Sequence, residues 1–176
     1  MFEGWANFYL MAGSAAAVLI GLIFVVISLM GDRPRSAVLA GSKLYMGPIV
    51  LSVSFVLLLS GAALVPDISR LTLAQIASLV AVWGLARAMV SSWGIGTLNR
   101  TGEAQAHWTD IWFYGLMPMA AYAAIGGVAI AFWRGLPWAQ NGLAIMIVLK
   151  LLLAIRNEWD LITWITPRGE DGEAAP

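Results

Sequence analysis

Five long stretches of the chain carry few or no charged side chains, and short polar segments separate them. They run from about Phe8 to Met30, Gly47 to Val65, Leu73 to Trp93, Trp112 to Trp133 and Trp138 to Trp159. Each is close to the roughly 20 apolar residues that cross a bilayer as a helix. The third holds Arg87 and the fifth holds Lys150, with Arg156 and Glu158 at its foot. The runs are continuous and do not alternate, and lipid admits only backbones that satisfy themselves internally, so helices are predicted instead of a barrel. The fold class is therefore an all-α, polytopic transmembrane bundle of five spans over residues 1-166, followed by a polar, disordered tail at 167-176. A four-span alternative lays the last segment on the inner surface, because Lys150 interrupts it. Pro48 falls near the start of the second span, where its missing N–H is tolerated, and Pro118, about one turn into the fourth, is placed to kink it.

The basic residues of the short connections orient the bundle. With the N-terminus outside, the inner side receives Arg33, Arg35, Lys43, Arg100, Arg156 and Arg168, and the outer side only Arg70 and Arg134. The excess of basic residues on inner loops thus gives N-terminus out, C-terminus in. Of nine tryptophans, all but Trp83 lie near a proposed span end, as an interfacial belt requires. The first segment begins with an acid, Glu3, and its apolar run is longer than a signal core, so it reads as a retained membrane helix.

Composition narrows the chemistry. Charged residues make up 11% of the chain, against about a quarter in soluble domains. The formal net charge is zero, so nothing points to nucleic acid. No cysteine is present, which removes disulfides, thiolate metal sites and thiol catalysis. His107, beside Trp108, is the one histidine. It cannot make a two-histidine haem site or an ordinary zinc site, and a solvated interfacial histidine is its plain reading, with a single pigment or headgroup contact as the alternative. GIGTLNRTG (Gly94 to Gly102) follows a helix instead of a strand and reads as a connector, not a phosphate loop. No serine–histidine–acid set or paired intramembrane carboxylates are found. The expectation is a protein that is not an enzyme and carries no cofactor or metal.

Small residues recur every fourth position at Gly13, Ala17 and Gly21 and again at Gly84, Ala88 and Ser92. Such rows let helix backbones approach closely in lipid, so both are predicted packing seams. FYLMAGSAAAVLIG (Phe8 to Gly21) and FYGLMPMAAYAAIG (Phe113 to Gly126) also share several positions, as two halves of an inverted repeat would.

The intramembrane cations are the residues that suggest function. A cation at a helix centre costs about 2.5–3.5 kcal/mol on insertion scales. Arg87 and Lys150 each stand about six residues before the inner end of their span, roughly 9 Å deep at the rise of an α-helix. They therefore share a level, and no acid shares it with them. Lys150, Arg156, Asn157 and Asp160 fall within an arc of about 120°, while Glu158 projects elsewhere. Two readings follow. In one, the cations bond helix-end carbonyls or Asp110, Glu158 and Asp160 and tie the inner ends together. In the other, Arg87, Lys150, Arg156, Asn157 and Asp160 line a wet cavity or pore that offers positive potential to an anion or headgroup.

GSAAAVLIGLIFVVISL (Gly13 to Leu29), with its Gly/Ala-rich opening, Gly-Leu-x-Phe-Val and closing Ser-Leu, resembles a group of small bacterial membrane proteins, some of them labelled modulators of a membrane protease. The likeness covers the first helix. It implies a bacterial cytoplasmic membrane and carries no site residues across. The functional expectation is a small homo-oligomeric channel or transporter-like protein for small anions; the alternative is an accessory or scaffold subunit of a larger membrane complex. In both, the partners are the lipid bilayer and either further copies or another membrane protein.

Overall fold

The computed structural model describes residues 4–29, 46–101 and 111–165. It contains five helices: α1 (Ala6–Leu29), α2 (Gly47–Leu64), α3 (Arg70–Thr101), α4 (Met117–Arg134) and α5 (Ala139–Ile165), with a π-helical turn at Ile111–Leu116 leading into α4. No strand occurs among the described residues. Each helix contains a stretch long and apolar enough to cross a membrane, namely Ala6–Ser28, Gly47–Leu64, Arg70–Gly94, Trp112–Arg134 and Ala139–Thr163. These are the five stretches of the apolar pattern, with ends moved by a few residues. Residues 167-176, Asp110 and His107 lie outside the described residues.

α2, α3, α4 and α5 form a closed ring in which each helix packs on the next and α5 returns to α2. α1 lies against the outside of that ring, on α2 and α5. The last segment is thus a 27-residue helix built into the ring, not a helix laid across its end.

Two tight connections are closed by local chemistry. Between α2 and α3, the Ser69 hydroxyl accepts a hydrogen bond from the Thr72 N–H at 3.0 Å and lies 2.8 Å from the Thr72 hydroxyl, capping the free N–H groups of α3. Asp67 holds a positive φ of 53° in this turn, a conformation that short polar side chains tolerate. α4 ends on Gly135 at φ 68°, with Leu136 N–H donating to the Ala131 carbonyl at 2.9 Å and Gly135 N–H to the Phe132 carbonyl at 3.1 Å. That pair of bonds is a Schellman closure, and it needs glycine for the left-handed φ. The Arg70 guanidinium fills the space a Gly135 side chain would take, and so joins the start of α3 to the end of α4.

The seam of small residues on α1 is shifted from its predicted place. Tyr9, Ala12, Gly13, Ala16 and Ile23 are buried, whereas Ala17 and Gly21 are exposed within the protomer. A Cβ on Gly13 would sit 3.4 Å from that of Ser60, so this glycine does admit α2. On α3, Gly84 and Ala88 are buried and Ser92 is half-buried. The Ser92 hydroxyl donates to the Ala88 carbonyl at 2.8 Å and touches the Met119 sulfur at 3.6 Å, so this row packs on α4 along its length.

The start of α4 is where proline shapes the backbone. Pro118 stands in the first turn of α4, which the π-helical turn enters without a break. In a π-helical register the carbonyl of Phe113 looks for the N–H of residue 118, which proline lacks. Asn157 on α5 supplies the missing donor: its amide bonds the Phe113 carbonyl at 3.3 Å. The Tyr114 hydroxyl returns a bond to the Asn157 carbonyl at 3.1 Å. These two bonds lock the π-helical turn to α5.

Candidate functional site

The four helices of the ring enclose a cavity near the end where α2 and α4 begin and α3 and α5 finish. Pro48, Leu51 and Ser52 line it from α2, and Gly84, Arg87 and Ala88 from α3. Tyr114, Pro118 and Tyr122 line it from the fourth element, and Lys150, Ala154 and Asn157 from α5. α1 contributes nothing to the lining. The volume open to water-sized molecules is about 20 Å³. A single water needs roughly 10–15 Å³ by this measure, so the cavity takes about one.

Tyr122 gives the site its shape. Its ring lies over Gly84, where a methyl group would land inside the ring, so glycine is required for α3 and α4 to close here. Phe55 meets the ring edge to face, with centroids 6.0 Å apart. The remaining face takes Lys150, whose Nζ stands 3.6 Å from the ring centroid.

Lys150 is 2% exposed, and its ammonium has no hydrogen-bond partner among the described residues. A lysine ammonium carries three donors. Removing such an ion from water costs several kcal/mol even after relaxation. A desolvated cation–π contact returns about 2 kcal/mol. The ring therefore offsets part of the burial and leaves the donors unmet. No carboxylate lines the cavity among the described residues.

The structure brings Arg87 and Lys150 to one cavity, as their shared level implies, but in different states. Lys150 is enclosed. Arg87 is exposed on the protomer, bordering the cavity, and is not buried against other helices. The reason is angular: Gly84, Ala88 and Ser91 occupy the packed face of α3, and Arg87 stands at its edge.

The other expected polar residues divide. Asn157 lines the cavity, but its amide is engaged by the π-helical turn and by Arg156, whose guanidinium donates to its side-chain oxygen at 3.3 Å. Arg156 and Asp160 lie outside the lining and pair with each other at 2.9 Å, one helical turn apart and partly exposed. Arg156 also stacks on Phe113 at 3.3 Å. Arg156 and Asp160 therefore stand at the foot of α5, paired with each other and outside this cavity's lining. Glu158 is buried, and its Oε1 has no partner among the described residues, so it forms no ion pair with Lys150.

Tyr122, Ser52, Phe55 and Tyr114 were not legible as site residues. A tyrosine or serine inside an apolar run was the available signal, since a buried hydroxyl in lipid must find a partner. No group of three histidine, aspartate or glutamate side chains able to hold a metal occurs among the described residues.

These features define the chain as a multi-pass integral membrane protein with a buried lysine inside a four-helix ring. Compared with known protein families, curated proteins and solved structures, the chain matches none.

Proposed function

We propose that this chain is a transporter-like membrane protein for small anions, working as a homo-oligomer, with Lys150 as the cation of an occluded site. The observation that carries the reading is a buried lysine amine that, among the described residues, has no hydrogen-bond partner and no acid beside it in the cavity. Arg87, exposed at the border of the same cavity, adds positive potential where an anion would enter. One helical turn further along each ring helix, Val56, Val80, Ile125 and Ile147 are all buried. That apolar layer favours a carrier that opens by rearrangement over an open channel through one protomer. We assign it to the bacterial cytoplasmic membrane on the likeness of its first helix, with the N-terminus outside on its loop charges.

Purified protein in liposomes is expected to pass small anions down a gradient, and Lys150→Met to slow that flux at least tenfold. A folded wild-type protein with no flux across a panel of small anions overturns the proposal. The accessory-subunit reading draws on the exposed Ala17 and Gly21 of α1, a close-packing row turned away from the protomer. Native mass after gentle extraction separates the two, because the accessory reading requires a second kind of membrane protein at fixed ratio.

A further inference from the structure

We infer that the cavity at Lys150 is a site for one halide-class anion, chloride or bromide, and that it excludes tetrahedral oxyanions. The inference deepens the transport reading and rests on the same cavity.

Size comes first. The accessible volume of about 20 Å³ admits one particle near the size of water. Among anions a bare monoatomic ion comes nearest that limit; chloride and bromide are somewhat larger than water and need a small outward shift of the walls. Sulfate and phosphate, with four oxygens around a central atom, do not fit.

The donors agree. One N–H of the Asn157 amide goes to the Phe113 carbonyl and the Tyr114 hydroxyl to the Asn157 carbonyl. The ammonium of Lys150 is the buried lining group without a hydrogen-bond partner among the described residues, capped on one side by the Tyr122 ring. One cation with open donors matches one negative charge without direction. A bidentate oxyanion calls instead for a planar fork such as a guanidinium, and the nearest, Arg87, lies at the exposed border.

The remaining walls select for easy dehydration. Leu51, Ala88, Pro118 and Ala154 offer an entering ion no hydrogen bonds. An anion must lose its water to lie there, so chloride and bromide are favoured over the strongly hydrated fluoride.

The test is thermal unfolding of the full-length protein in detergent, titrated with sodium chloride, bromide, fluoride, sulfate or phosphate at ionic strength held constant with gluconate. Chloride and bromide are expected to raise the midpoint saturably by several degrees, with half-saturation at least tenfold below that of fluoride, and sulfate and phosphate to give no saturable shift. Lys150→Met is expected to abolish the halide response, and Lys150→Arg, which keeps the charge but crowds the cavity, to weaken it at least tenfold while still folding. No saturable halide shift in the wild type, an unchanged shift in both variants, or an equal response to phosphate overturns the inference. Halide binding without flux would remove the transport reading and leave the site. Flux that depends on Lys150 without halide binding would do the reverse.

Discussion

Lys150 is the residue at which stability and function pull in opposite directions. Its ammonium is buried, stacked on Tyr122 and otherwise unmet. A strut would show paired donors, as Arg156 does with Asp160 and Asn157. Methionine has a similar length and no charge. Replacing buried ionic groups by apolar residues of like volume is often stabilising, by about 1–4 kcal/mol. Lys150→Met is therefore expected to raise resistance to denaturant by that order in an anion-free buffer, read by tryptophan fluorescence. A loss of stability instead would make the lysine a structural tie. The cation itself was legible in the sequence, because a charge stands out in an apolar run and counting along a helix gives its level. Its surroundings were not. Tyr122 and Ser52 lie within hydrophobic stretches, and nothing local marks which apolar neighbours would meet a lysine from another helix.

At the scale of the element, the junction between the π-helical turn and α4 shows a backbone defect on one helix repaired by a side chain on another. Pro118 withholds an N–H, and Asn157 bonds the Phe113 carbonyl left without one. Leaving a buried carbonyl unpaired costs about 1–3 kcal/mol. Asn157→Leu is expected to lower stability by that order. In a Pro118→Ala background the N–H of residue 118 is restored and can serve Phe113, so the same substitution should cost less by roughly 1 kcal/mol, a coupling within the usual range for residues in one network. A double-mutant cycle of unfolding free energies measures it, and additive costs would refute the repair. The spans were legible because lipid demands about 20 apolar residues wherever a helix crosses. The packing faces were not. A helix that is apolar all round carries no stripe to say which side meets protein. The α1 seam accordingly falls on Ala12 and Ala16, while Ala17 and Gly21 face outward.

For the whole molecule, the ring of α2, α3, α4 and α5 sets where the cavity lies, and the proposed orientation says which compartment it faces. The cavity is at the end where α3 and α5 finish. The orientation proposed from the sequence, with Arg33, Arg35, Lys43 and Arg100 assigned to the inner side and Arg70 and Arg134 to the outer, predicts that the cavity end faces inward. The chain has no cysteine, so single cysteines report sidedness without background. Pro66→Cys, in the exposed turn before α3, is expected to react with a membrane-impermeant maleimide in intact cells. Gly172→Cys, in the polar C-terminal segment, should react only after the membrane is opened. Both labels reversed would mean an N-terminus inside. The cavity would then face the outer compartment, and an anion drawn by Arg87 would come from outside the cell. Three of the five spans separate Pro66 from Gly172, so both sites reacting from outside would contradict the five-span crossing itself, independently of any proposal about Lys150.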